Sequence, residues 1–204
     1  MTNQVLPRSC KGVRRGEPRC KAFTLIELVL VVGIIIVLAG LVLSTVGYAR
    51  KKGARARAET EIAAISAACE NYKADNAVYP NSNGSGGTDG LDPSTTNLAN
   101  YEMPCRYLYG EISGDRDFNG APDTNARPYM AFKQISLLRA DMSNPPSSSN
   151  QVTAIRDPFG NSYGYSTAKA ANPGGAIGFN PTFDLWSISD GAAGTDQAKW
   201  IKNW

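Results

Sequence analysis

The chain has 204 residues and a formal net charge of +3, and it contains no histidine, the commonest general base and metal ligand near neutral pH. Its basic residues gather at 1–22 and 50–57, whereas sixteen acidic residues face ten basic ones from residue 58 onward. This distribution argues against a nucleic-acid-binding stripe in the distal part of the chain.

The first predicted element is a basic leader followed by a long apolar helix. Residues 28–49, twenty-two in number, carry no charge and are rich in Leu, Val and Ile. As a helix they rise about 33 Å, enough to cross the hydrocarbon core of a bilayer once, and they exceed the core of a cleaved secretory signal. The six basic residues of 1–22 predict a cytoplasmic N-terminus, although the cluster at 50–57 places nearly as much charge on the far side.

One acid, Glu27, lies at the start of this apolar helix. An ionised carboxylate at membrane depth costs roughly 2.5–3.5 kcal/mol on insertion scales. A segment that served only as an anchor would be better with Leu or Val at this position, so we expect Glu27 to have a function. The simpler alternative is that its side chain snorkels to the membrane surface.

The helical pattern continues beyond the apolar segment and becomes amphipathic. Apolar residues recur at spacings of four, three, four and three, which is one face of an α-helix: Ala58, Ile62, Ile65, Cys69 and Tyr72. We therefore predict one helix from Phe23 to about Asn76, ended by Pro80.

The remaining chain is predicted to form a loop-rich head. Residues 81–100 are a loop by composition, and 137–142 are expected to form a helical turn. Four short aromatic and β-branched runs are strand candidates: 107–112, 128–132, 162–167 and 183–188. The predicted fold class is α+β, a long N-terminal helix whose amphipathic half packs on a small antiparallel sheet with long loops.

Several motifs match a known family. "FTLIELVLVVG" (23–33) resembles the N-terminal signature of type IV pilins and of the related pseudopilins. "YKADNAVYP" (72–80), "DPFGNSYGY" (157–165) and "FDLWSISDG" (183–191) resemble segments of the major pseudopilins of type II secretion systems. The chain therefore resembles this family over its first half and last quarter, and the resemblance implies the pilin fold.

The resemblance implies a division of the chain and a processing step. Residues 1–22 would be a leader that a prepilin peptidase removes, leaving a methylated Phe23 at the new N-terminus; Ala22 stands where the family has Gly. Residues 23–49 would form the transmembrane helix and filament core, and 50–79 the amphipathic helix. Residues 80–204 would form a periplasmic or extracellular head, with a loop-rich insertion at about 81–156.

The function implied is that of a filament subunit, anchored in the inner membrane by one helix until assembly. Glu27 would neutralise the Phe23 amine of a neighbouring subunit. Partners would be further copies of the chain, minor pseudopilins, the prepilin peptidase/methyltransferase and the inner-membrane assembly platform, with no nucleic acid. The tail favours a type II secretion pseudopilus; a surface type IV pilus and an anchored ligand-binding module are alternatives. An anchored enzyme is disfavoured, because no histidine, nucleophile elbow or phosphate loop is present.

Two segments are candidate calcium sites. In "GDRDFNGAPD" (114–123), oxygen-bearing side chains alternate as in a calcium loop, with a Gly for the sharp turn: Asp115, Asp117, Asn119 and Asp123. Ala126 stands where the bidentate Glu is expected, and an acidic turn that caps its own backbone is the alternative. The family resemblance implies a second calcium site in the tail, with these ligands: the Ile188 carbonyl, Ser189, Asp190 and Asp196.

Cys69 and Cys105 follow the membrane helix and would lie outside the cytoplasm, where disulfides persist. A bond between them would tie the helix to the head. Cys69 also fits as an ordinary residue of the apolar helix face, so the sequence leaves both interpretations open.

Overall fold

One continuous helix, α1 (Leu25–Asn76), opens the structure. This computed structural model describes residues 23–82, 86–191 and 194–204, and the chain divides between Val46 and Gly47 into two compact units. Thr24 begins α1, because its Oγ1 accepts a hydrogen bond from the Glu27 N–H at 3.3 Å. The predicted leader, including Ala22, lies outside the described residues.

The first unit contains the apolar part of α1. From Leu25 to Leu43, every large apolar side chain that the structure describes is at least 45% exposed. This helix is long and apolar enough to cross a membrane. In the described part of this unit nothing of the chain's own covers these side chains, so they require an apolar environment from outside it.

The second unit, from Gly47 onward, contains the amphipathic part of α1 and the head. Ala58, Ile62, Ile65 and Cys69 are each at most 5% exposed, which confirms four positions of the predicted face, and the fifth, Tyr72, is half-buried. The helix ends as predicted: the N–H of Ala77 bonds the Lys73 carbonyl at 2.8 Å, and Ala77 turns the chain away with φ of +63°.

The head combines two short helices with two small antiparallel sheets. The helices are α2 (Ala99–Ser113) and α3 (Ala168–Ala171). One sheet pairs β1 (Leu137–Arg139) with β2 (Val152–Ile155). The other has the order β3-β4-β5, formed by Gly164–Ser166, Asp184–Ser187 and Ile201–Lys202. The structure is thus α+β, as predicted.

Two apolar clusters hold these elements together. The larger one joins the buried face of α1 to α2 and to both sheets, with Cys105, Leu108, Ile112, Val152 and Leu185 among its members. The smaller one is aromatic and lies at the tail; its members are Leu91, Tyr101, Trp186, Ile188 and Trp200. The amphipathic half of α1 is therefore part of the head's own core.

Three local predictions were wrong. Residues 107–112 form the end of α2 rather than a strand, because Tyr101, Cys105, Leu108 and Ile112 recur at helical spacing and are all buried. Residues 128–132 form no strand, although their aromatic side chains pack against the core. The stretch 137–142 supplies β1 instead of a helical turn, since its partner β2 satisfies its backbone.

Candidate assembly segment and candidate metal loops

The two residues predicted to act in assembly lie at the start of α1, Phe23 just before the helix and Glu27 in its first turn. Phe23 is 78% exposed, and Glu27 is exposed one turn further along. Thr24 and Glu27 have the spacing of a capping box, and an acid in a first helical turn is favoured by the helix dipole. An acid at position 27 is therefore favoured locally at the start of α1, and its role in assembly stays a prediction.

The part of α1 that follows the apolar stretch is fastened to the C-terminal tail. The Lys51 ammonium lies 3.1 Å from Asp190 Oδ2, and this hydrogen bond lowers the pKa of the Asp190 carboxyl. Arg55 donates from Nη1 to the Lys199 carbonyl at 2.9 Å and from Nη2 to the Trp200 carbonyl at 3.4 Å. Lys51 and Arg55, about one turn of helix apart, thus bind the tail through a side-chain acceptor and two backbone acceptors of the tail.

Tyrosine–carboxylate bonds fasten the rest of the amphipathic half. The Tyr163 hydroxyl donates to Glu61 Oε2 at 2.8 Å, and the Tyr72 hydroxyl donates to Glu111 Oε2 at 2.8 Å. Burial, followed by the neighbouring Glu61 carboxylate, raises the pKa of Tyr163 well above its ordinary value. Charge-assisted bonds of this kind are about twice as strong as neutral ones, so they fix the helix against the head.

The predicted calcium loop follows α2 directly and is organised by Asp115. This residue is fully buried; its Oδ2 accepts hydrogen bonds from the Tyr109 hydroxyl and the Gly120 N–H, both at 2.7 Å. Its Oδ1 accepts from the Asn119 N–H at 3.0 Å. Gly120 has φ of +92°, which supplies the sharp turn expected from the sequence.

The loop brings three of its four predicted ligands together. Carboxylate oxygens of Asp115, Asp117 and Asp123 lie within 4.8 Å of one another. Oxygen ligands at 2.3–2.6 Å from a calcium ion are separated by similar distances, so this set fits the ion. The fourth, Asn119, turns its amide N–H to Asp117 Oδ2 at 2.8 Å. The self-capping alternative accounts for Asp115, and calcium binding at the loop stays a prediction.

The tail acids are paired with lysines. Asp190 binds Lys51, and Asp196 binds Lys199 at 3.2 Å. A carboxylate that neutralises an ammonium group is a poorer ligand for a divalent cation, since the cation must displace the lysine. Among the described tail residues, which omit 192–193, the two acids thus have protein cations as partners, and tail calcium stays a prediction.

The other predicted tail ligands serve the loop itself. The Ile188 carbonyl accepts the Gly191 N–H at 2.9 Å, and Ser189 Oγ donates to the Lys199 carbonyl at 3.0 Å. Ser189 has φ of +52°, and its carbonyl accepts a hydrogen bond from Asn161 Nδ2 at 3.2 Å. These contacts fold the tail back on the segment that precedes β3.

The final residues complete the sheet. Asn203 Oδ1 accepts from the Leu185 N–H at 2.9 Å, and its Nδ2 donates to the Phe183 carbonyl at 3.1 Å. Trp204 stacks on Phe179 with ring centroids 4.8 Å apart. Asn203 therefore extends the hydrogen bonding of β4.

The two cysteines lie in the core as free thiols, so of the two interpretations left open by the sequence the disulfide is not the one formed. Cys105 Sγ accepts a hydrogen bond from the Ile155 N–H at 3.2 Å. Burial raises the pKa of Cys105 to about 11 and that of Cys69 further still. Both residues therefore behave as small apolar core residues, which was the alternative for Cys69.

No protein-family model, no curated protein and no solved structure matches this chain.

Proposed function

We propose that this protein is a structural subunit of a type IV pilus-like filament, namely the pseudopilus of a type II secretion system. The observation that carries the proposal is the two-part nature of α1 (Leu25–Asn76): its apolar half is exposed, and its other half is core to the head. A filament whose subunits bundle their apolar helices would cover the exposed half. The signature at 23–33 and the tail motifs support the same assignment.

Assembly would depend on the first turn of α1. Cleavage before Phe23 creates an amine one residue ahead of the Thr24 cap, close to the exposed Glu27. In a bundle of apolar helices, the amine of one subunit and the Glu27 carboxylate of its neighbour would neutralise each other. Removing one partner of a buried pair costs about 3–5 kcal/mol, which is at least 100-fold in association. The pair would thereby set the axial register between subunits.

The cellular setting follows from this role. Before assembly, the subunit would reside in the inner membrane as a single-pass protein with its N-terminus in the cytoplasm and its head in the periplasm. Prepilin peptidase/methyltransferase, the assembly platform and minor pseudopilins would be its partners. We propose a structural rather than a catalytic role. The sequence has no histidine, the Asp115 carboxylate accepts hydrogen bonds within its own turn, and Asp190 forms a salt bridge with Lys51.

A surface type IV pilus is the alternative that uses the same helix, and an anchored ligand-binding module is the alternative that does not need assembly. The latter is favoured by a polar cleft of roughly 530 Å³ in the head, lined by Tyr72, Arg116, Arg127 and Tyr129 among others. Filaments recovered from sheared cells would indicate a pilus, and loss of secreted proteins on deletion would indicate a pseudopilus. A monomer that keeps its leader would indicate the module.

The decisive experiment is an intact-mass and N-terminal peptide analysis of protein taken from its native membrane. The proposal expects a chain that begins at methylated Phe23, despite Ala22 before the cut. In parallel, Glu27→Gln should abolish filament recovery, whereas Glu102→Gln, at an exposed acid of α2, should leave it unchanged. Unprocessed chains in a cell with active peptidase, or full assembly of Glu27→Gln, would overturn the proposal.

We further propose calcium at the 114–123 loop, where it would add to the loop's own hydrogen bonds. Isothermal titration should show one site that is lost in Asp117→Asn, because this exposed acid belongs to the carboxylate triad. Asp190→Asn, in the tail, should leave that site intact. If the tail variant alone removes binding, the ion belongs to the tail instead.

A further inference from the structure

Five basic residues directly follow the apolar stretch, on the side where the positive-inside rule disfavours them. They are Arg50, Lys51, Lys52, Arg55 and Arg57. All five belong to the second compact unit, together with the head.

Three of the five have partners within the folded unit. Lys51 binds Asp190 at 3.1 Å, Arg55 donates to two tail carbonyls, and Arg57 binds Glu61 at 2.7 Å. Each of these cations therefore has a partner within the folded unit.

Arg50 and Lys52 differ from these three. Both are exposed, and neither forms an ion pair with any residue that the structure describes. Successive residues of an α-helix are separated by 100°, so the two lie on either side of Lys51. Since Lys51 faces the tail, Arg50 and Lys52 project beside the head rather than into it.

The position of the pair along the helix indicates its surroundings. Tyr48, two residues before Arg50, is 72% exposed, and the uncharged stretch 28–49 ends at this point. Tyrosine is enriched at the membrane surface, where its ring lies in the apolar layer and its hydroxyl reaches water. Lysine and arginine near the end of a membrane helix extend toward the phosphate level.

We propose that Tyr48, Arg50 and Lys52 form a belt that binds anionic phospholipid headgroups in the leaflet next to the head. The inference rests on the membrane insertion contained in the proposed function. Two cations without acidic partners complement the negative surface of such a leaflet. The belt holds the helix at a fixed depth, so that leaving the bilayer for a filament requires these lipid contacts to be exchanged.

The test measures lipid selectivity of the full chain in nanodiscs of phosphatidylcholine that contain phosphatidylglycerol. Native mass spectrometry counts the protein molecules that retain the anionic lipid after release. Arg50→Gln and Lys52→Gln should each reduce this retention by about fivefold at low salt, and the double variant should reduce it further. Lys52→Arg keeps the charge and should retain lipid as the wild type does.

Lys133→Gln is the matched control, because it removes one exposed positive charge from the head. It should leave lipid retention unchanged, and every difference should disappear in 0.5 M salt, where charges are screened within a few ångströms. Equal retention in the wild type and the double variant would overturn the inference. If the double variant instead impaired only filament recovery, the two cations would pair with acids of a neighbouring copy.

The outcome is independent of the filament assignment. Nanodiscs isolate the chain from other copies, so lipid selectivity is measured without assembly. A chain that is processed and assembled but shows no selectivity refutes the belt alone, and a selective chain that keeps its leader in cells refutes the filament alone.

Discussion

The division of α1 into an exposed half and a core half predicts that one substitution has opposite outcomes in the two halves. Ile65 is 1% exposed and packs in the main core, whereas Ile34 is 52% exposed. Isoleucine to alanine in a core costs about 2–5 kcal/mol. Ile65 also borders a cleft of about 420 Å³ that opens to solvent, so the space left behind is not sealed. We therefore expect a cost at the lower end, about 2–3 kcal/mol.

The assay is thermal unfolding in detergent micelles, followed by the fluorescence of the head's three tryptophans. For a unit of this size, Ile65→Ala should lower Tm by about 4–12 °C. Ile34→Ala should leave Tm unchanged, because the Ile34 side chain does not belong to the core of the head. Equal losses in both variants, or no loss in Ile65→Ala, would refute the assignment of the two halves.

The head supports two further predictions. An alanine at Gly164 would place its Cβ within the ring of Trp186, whereas nothing lies within 4 Å of the same atom at Gly174. Gly164→Ala should therefore cost about 1–3 kcal/mol or more in chemical denaturation, while Gly174→Ala should have little effect. Cys69 and Cys105 should resist Ellman's reagent in the native protein and react fully without reductant in denaturant. Peptide mapping that finds them linked would contradict the free thiols.

The long helix was predictable because its signals are local and repeated. Uncharged residues over 28–49 and apolar positions at helical spacing over 58–72 both indicate helix, and the structure joins them as Leu25–Asn76. Strand β4 was predictable for a similar reason, since aromatic and β-branched residues lie between turn residues at 183–188. The acidic loop was recognisable from the alternation of its oxygen-bearing side chains.

The elements missed by the sequence depend on distant partners. Helix α2 contains Pro104 and follows a Gly- and Asn-rich stretch, which suggests a break; burial of Tyr101, Leu108 and Ile112 stabilises it as a helix. The free state of Cys69 and Cys105 likewise depends on where the core places them. The lysine partner of Asp190 was also out of reach, because Lys51 and Asp190 are 139 residues apart in sequence.

The contacts between the amphipathic half of α1 and the head hold that segment at both of its ends. Arg55 binds the tail near the start of the amphipathic half, and Tyr72 binds Glu111 near its end. Between them, buried residues such as Ile65 fill the core. A segment held at both ends and packed along its length moves with the head as one body. Weakening the contacts of Arg55 should therefore loosen the tail before it affects the core.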